Sequence, residues 1–376
     1  MAVRVVFVRS KSPAGIEPRI AKEATSLARA GYDVHAILWD RERAYPREES
    51  RDGIRIHRVL LRAPEGRPSL VLRIPGWWTR LFIRILRLRP DVVHAADFDT
   101  VLPAYLAARI GGARIVYDVF DFYADMVTAP IPPRVRKLLA RAERRMISRV
   151  DAVVVPDLHR SEQFGEARPK RLVELMNVPE DRGASATAKD PDGFVVFYGG
   201  MIAKDRGLND LVAACEDVGA KLIVAGHGPD EAELLGRIES SHAGMYLGTI
   251  SYEEVLEETA KSQAIAALYD PAIPNNRFAA PNKLFEAMMF RKPVLATEGT
   301  LAGEIVREVG CGIVVRYGDR AGLNRALEML MLSPDETKAM GVRGRQAFES
   351  RYNWKAMEPR LLVLYRDLNP GSRKPP

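Results

Sequence analysis

Three stretches hold cations and glycines at spacings suited to receiving an anion. The first is FAAPNKLFEAMMFRKPVLAT, residues 278–297. Pro281 suits the first position of a helix, where its missing N–H costs nothing. The amides of Asn282 and Lys283 would then point out of the helix start, where the dipole favours negative charge. Lys283 adds a full charge, and Glu286, three residues on, shares its face. A buried carboxylate there could accept two ribose hydroxyls. A plain Lys–Glu pair on a wet face fits the same spacing. The second stretch, FYGGMIAKDRGLNDLVAA (197–214), places Gly199 and Gly200 at a strand end, then Lys204 and Arg206 at a helix start. Glycines let backbone amides approach a ligand closely; an ordinary strand–loop–helix turn with solvated charges reads the same way. The third, IVAGHGPD (223–230), repeats the strand-end theme with Gly226 and Gly228. His227 between them could reach a ligand, although a lone histidine in a turn is more often structural.

The elements that must position these residues are regular. Apolar runs at 4–8, 33–39, 54–59, 91–94, 113–118, 151–155 and 171–176 alternate with helical patterns. A polar, turn-rich segment, EDRGASATAKDPDG (180–193), interrupts the series. It restarts at 194–198, 220–226, 245–248, 264–268, 293–296 and 312–315. Continuous Val/Ile-rich runs between helices mean parallel strands covered on both faces. The reading is α/β, with two Rossmann-like doubly wound domains, 1–178 and 179–353, facing an interdomain cleft. A closing helix and polar tail fill 354–376. Ligands of such sheets bind beyond the carboxyl ends of the strands.

At 376 residues the chain is too long for one ordinary core and comfortable for two. It carries no run of 18 apolar residues and no secretory leader pattern, and its 2 cysteines make no disulfide framework or metal spacing. The expectation is a reduced, cytoplasmic protein. The net charge of +7 fits an anionic ligand, an anionic membrane surface or nucleic acid. No recognised nucleic-acid module accompanies it, so nucleic acid is set aside.

In order, these blocks resemble glycosyltransferase family 4, a retaining family of the GT-B fold. The signatures are GG…RGL, GHGP, PNKLFEAM…KPVLAT and GEIV…CGIVV in the second half. In the first half they are EPRIAKEATSLARAGYDVHAI, RPDVVHAADFDTVLPAYLAARIGGARIVYDVFDFY and DAVVVPD. The WKAM…LYRDL end is similar to the family's closing helix. The resemblance implies sugar transfer from a nucleotide-diphosphate sugar, a UDP- or GDP-sugar, to a hydroxyl acceptor, without a metal cofactor. Arg206 and Lys283, with Lys204, would neutralise the diphosphate, and Glu286 would hold the ribose. Gly199, Gly200, Asn282, Gly226 and Gly228 complete the donor side. His94, Asp97 and Asp118 fall on the acceptor side, and Asp121 joins Arg206 and Lys283 in the catalytic set.

Two positions depart from the family. Phe278 stands where a sugar-contacting glutamate is common, eight residues before Glu286, leaving Asp270, Asn275, Asn276 and Arg277 as candidates for that role. Phe120 stands where a histidine is common, with Asp118 and Asp121 flanking it to orient an acceptor hydroxyl. The D-F-D at 97–99 looks like a metal motif of another fold, but reads here as a helix cap.

The segment LRIPGWWTRLFIRILRLRP (72–90) puts Arg80, Arg84 and Arg87 on one helical stripe beside Trp77 and Trp78. That pattern suits peripheral contact with an anionic membrane at its inner face, and then a lipid-linked acceptor. The similarly basic 134–149 reads as a packed domain helix. A dehydrogenase is excluded, because VRSKSPAGIEPR (8–19) lacks G-x-G-x-x-G. A nucleotide-sugar 2-epimerase and a donor-binding scaffold without turnover remain as rivals.

Overall fold

The apolar runs become strands, as their length and branching require. The computed structural model describes residues 2–10, 16–63, 69–126, 132–183, 193–241 and 243–369. Most of the segment read as a linker (184–192) and the tail 370–376 lie outside these. The first sheet contains β1 (Arg4–Arg9), β2 (Asp33–Asp40), β3 (Glu48–Arg51), β4 (Ile54–Leu60), β5 (Val92–Ala96), β6 (Arg114–Asp118), β7 (Ala152–Val155) and β8 (Leu172–Glu174). Its order is β3-β4-β2-β1-β5-β6-β7-β8. The second contains β9 (Val195–Gly199), β10 (Lys221–Ala225), β11 (Gly244–Tyr246), β12 (Ala264–Ala267), β13 (Val294–Thr297) and β14 (Gly312–Val315), in the order β11-β10-β9-β12-β13-β14. Every pairing is parallel except β3 with β4. β3 is the strand the apolar pattern misses: EESR carries no hydrophobic alternation and exists by pairing antiparallel at the sheet edge.

The chain divides into two compact units, 1–176 with 357–376, and 177–356. The return occurs inside the helix Trp354–Leu368. In the first unit Val6, Val8, Ile115 and Val153 meet the helices Ser69–Leu88 and Phe98–Gly111 in one core. In the second, Val196, Leu222, Ala266 and Leu295 form the equivalent core. Burying each such side chain contributes roughly 1.5–3 kcal/mol against conformational entropy.

The tryptophans of 72–90 correct the sequence reading. Trp77 is fully buried and stacks on Trp39 at 5.2 Å, 13° between planes. Trp78 is partly buried, and its Nε1 donates to the Asp99 carbonyl at 2.8 Å. Leu81 and Ile85 are buried on the same side. The aromatic stripe is therefore the packed face of the helix, and its arginines face outward together with Leu72 and Ile83. Among the described residues no helix is long and apolar enough to cross a membrane.

Candidate functional site

In the second unit the donor-side residues converge at the carboxyl ends of the central strands. The helix Asn282–Met289 starts one residue later than expected. Pro281 is its N-cap, with φ −72° and ψ 149°, rather than its first helical residue. Residues 283–289 are all buried, so the wet-face reading of Lys283 and Glu286 fails. The two also part company, forming no ion pair among the described residues. The Lys283 ammonium lies over the Tyr198 ring, 3.5 Å from its centroid, and has no hydrogen-bonding partner among the described residues. Burial, reinforced by the nearby Arg206 charge and opposed by Glu286, pushes its pKa down to about 7. Glu286 instead accepts the hydroxyl of Tyr252, which burial and that carboxylate hold well above its ordinary ionisation range.

Arg206 is held at one edge of this site. It pairs with Asp205, donates to Asn276 Oδ1 at 3.1 Å and lies 4.4 Å over Tyr269. Asn276 Nδ2 in turn donates to Asp205 Oδ2 at 2.8 Å and to the Asp270 carbonyl at 3.1 Å. Asn276 thus serves Arg206, and the Asp270 carboxylate caps a turn at the amide of Ala272. The Arg277 guanidinium lies 5.9 Å from the Phe278 ring. Lys204 departs from its expected place. It is ion-paired to Glu233 at 3.1 Å and is not gathered with Arg206 and Lys283.

The glycines are demanded by backbone contact. A Cβ on Gly226 would lie 1.8 Å from the Gly200 carbonyl oxygen, and one on Gly228 2.0 Å from that of Ile202. The two loops continue the β9–β10 ladder, with Gly200 N to Ala225 O at 2.9 Å and Ile202 N to His227 O at 3.0 Å. Beyond them opens a pocket of about 640 Å³, lined by Gly200, Gly226, His227, Thr249, Ile250 and Val255 among others. Residues 249–255 were missed by the sequence reading. Their signal was the capping box Ser251/Glu254, which fixes the helix Tyr252–Lys261 and aims Tyr252.

In the first unit the expected acceptor residues separate. His94 and Asp118 are fully buried and offer no atom to a ligand. Arg19 binds Asp118 in a fork, Nη2 to Oδ1 at 2.7 Å and Nε to Oδ2 at 3.1 Å. His94 Nε2 faces Asp118 at 3.3 Å and Glu23 at 3.5 Å, and its Nδ1 meets the Tyr365 hydroxyl at 2.6 Å. Burial and the neighbouring Asp118 raise the Glu23 carboxyl above the usual range. Glu23, His94 and Asp118 are close enough to share an ion, but the Arg19 guanidinium already occupies the carboxylates. They form an internal strut holding the closing helix.

Asp97 and Asp121 remain nearer the surface. Asp97 occupies the N-cap position of the helix Phe98–Gly111 but makes no side-chain cap; its carboxylate pairs with Arg9. The expected cap is thus an ion pair. Its φ of 66° with ψ 162° lies in a region nearly reserved for glycine, a strain of about 1–3 kcal/mol that recurs at functional sites. Burial, then the nearby Asp99, Asp121 and Asp118, raise its carboxyl to about 7 against Arg9. Arg9 and Arg19 both lie against Phe120, 4.2 and 4.7 Å from its centroid, so this phenylalanine presents a cation-binding ring to both. Asp121 is held by Arg160 at 2.9 Å.

Known families account for both units. Residues 14–171 match the glycosyl transferase 4-like domain, and residues 180–347 match glycosyl transferases group 1. The chain is a GT-B glycosyltransferase. A GDP-mannose-dependent alpha-mannosyltransferase of Mycolicibacterium smegmatis is 24% identical to it over 373 residues, 93% of each chain. Sucrose-phosphate synthase from Thermosynechococcus elongatus shares the fold with a TM-score of 0.81 at 16% identity, covering 98% of this chain and 100% of that one. HepE from Anabaena in complex with UDP shares it at 0.72 and 14%, covering 97% and 100%. In this GT-B glycosyltransferase the Lys283 side belongs to the group 1 half and the Asp97 side to the 4-like half.

Proposed function

We propose that this chain transfers a sugar from a nucleoside-diphosphate sugar to an acceptor hydroxyl, with retention and without a metal. The observation that carries the reading is the Lys283 ammonium, buried at a helix start without a hydrogen-bonding partner among the described residues, with Arg206 close enough to depress its pKa. A cation in that state is incomplete until an anion arrives. Glu286 would accept ribose hydroxyls, exchanging its bond to Tyr252, and the pocket beyond Gly226 and Gly228 would take the base. A relative named for a GDP-sugar and a fold neighbour solved with UDP support this donor class.

In the reaction the bond from the anomeric carbon to the phosphate oxygen breaks and charge builds on the leaving diphosphate. Lys283, Arg206 and the amides at the helix start are fixed where that charge grows, which lowers the barrier without reorganisation. The acceptor oxygen bonds to the same face of the sugar, and its proton passes to the leaving phosphate. No separate strong base is then needed. Asp121 and Asp97 would orient the acceptor hydroxyl. The outward arginine face of the helix Ser69–Leu88, in place of its tryptophans, is where a lipid-linked acceptor at the inner membrane face would be met.

The test is a donor screen with UDP- and GDP-sugars, with and without membrane extract. Acceptor-dependent nucleotide release that survives EDTA is expected. Arg206→Ala and Lys283→Ala should each lower kcat by about 10²–10³. Epimer formation without an acceptor, or tight binding with no release from any donor, would replace this reading with one of its rivals.

A further inference from the structure

The hairpin β3–β4 and the helix Ser69–Leu88 enclose a groove of about 480 Å³ in the first unit. Five arginines line it, Arg47 and Arg58 from the hairpin side and Arg80, Arg84 and Arg87 from one stripe of the helix. Two have carboxylate partners: Arg84 pairs with Glu48, and Arg58 with Glu49 at 2.7 Å. Arg47, Arg80 and Arg87 have no ion pair among the described residues. Arg80 turns back to its own helix, donating to the Gly76 carbonyl at 2.9 Å. Leu60 and Ile83 complete the wall, and Ile83 is exposed.

The inner wall is His57, and its tautomer follows from its partners. Arg84 Nη2 lies 2.8 Å from His57 Nδ1. A guanidinium only donates, so Nδ1 accepts and the ring proton sits on Nε2. That Nε2 donates to His35 Nδ1 at 2.8 Å. Both rings are therefore neutral. The positive charge of the groove comes from the arginines alone, and His57 is a fixed ring directly behind them.

We propose that this groove binds a phosphate or diphosphate group, with an apolar part of the same ligand lying along Leu60 and Ile83. Planar guanidinium forks match phosphate oxygens two at a time. Three guanidiniums without counter-charge repel one another, and a single carboxylate would leave most of that charge unanswered. A phosphate brings about −1.5 to −2. The ligand could be a soluble phosphate ester or a lipid head group. The inference is independent of the donor assignment at Lys283 and deepens only the membrane-side part of the proposed function.

The full-length protein would be titrated with inorganic pyrophosphate while the His57 ring resonances are followed by NMR, since His57 reports this groove and not the Lys283 site. The His57 signals should move and saturate. Arg80→Ser and Arg87→Ser should each weaken that titration about tenfold, the loss of one charged hydrogen bond. Arg316→Ser, the same charge change in the other unit, should leave it unaltered. Motionless His57 signals, or Arg80 and Arg87 variants that titrate like the parent, would overturn the site. Sedimentation with phosphatidylglycerol vesicles, against phosphatidylcholine alone, separates the two sources. Vesicle binding lost in the same two variants identifies a lipid head group. Pyrophosphate binding without vesicle binding makes the ligand soluble and removes the membrane reading. Vesicle binding unchanged in both variants keeps the membrane reading and sinks the groove.

Discussion

The Lys283 ammonium lies 3.5 Å from the Tyr198 ring centroid and has no hydrogen-bonding partner among the described residues. The fold bears a cost here that ligand binding can recover. Lys283 titrates near 10.5 when unperturbed and at about 7 in the folded chain. Between those values the unfolded state holds more protons, so stability rises with pH through that window and the full cost is present below it. Lys283→Met should therefore stabilise the ligand-free protein at pH 6 by about 3–5 kcal/mol, with the gain fading towards pH 10. Urea midpoints at both pH values check this. A destabilised Met variant at pH 6 would mean that the amine is better satisfied than its surroundings indicate.

Glu286 and Tyr252 separate ribose binding from local structure. Glu286→Gln should weaken UDP or GDP binding at least tenfold, because a carboxylate accepting hydroxyls is replaced by a half-donor amide. Tyr252→Phe removes a bond that the ribose would displace, so nucleotide affinity should hold or rise. Calorimetric titration of the two variants distinguishes them. Equal losses would assign Glu286 to fixing the helix Tyr252–Lys261.

The glycine contacts make a steric prediction. Gly226→Ala forces a methyl to within 1.8 Å of the Gly200 carbonyl oxygen, at a φ of 136°. The loops must spread, carrying Gly200 away from the Lys283 ammonium. Nucleotide binding should be lost with a fall of several degrees in Tm, whereas Gly236→Ala, with open space around it, should change neither.

Trp77 separates packing from membrane contact. Trp77→Ala removes a fully buried ring from the Trp39 stack and should cost about 3–5 kcal/mol by urea unfolding. Arg87→Ser, on the exposed face of the same helix, should stay within about 0.5 kcal/mol. Vesicle binding that follows Trp77 rather than Arg87 in variants of equal stability would restore the tryptophan reading.

Both sheets were largely legible in the sequence, because a strand covered on both faces is apolar at most of its positions. The glycine turns, and the helix start to within one residue, were legible for a related reason: they are backbone requirements, met by one or two residue types at fixed offsets. β3 was not, since a polar edge strand exists only through its partner β4. The stripe of 72–90 was legible as a stripe, but periodicity states that a face is apolar and not what covers it. Trp39 covers it here. Asp118 stands at a strand end, where ligands bind, and His94, expected at one, lies at the centre of β5; Arg19, 99 residues from Asp118, and Tyr365, 271 residues from His94, claim them. Lys283 and Glu286 look like neighbours on one helix face, but only the folded chain brings Tyr198 to one and Tyr252 to the other. The sequence alone thus determined the alternation, the turns and the charge types, which are local. The fold decided which charges are paired, which are buried and which await a ligand, because those depend on contacts between residues far apart in the chain.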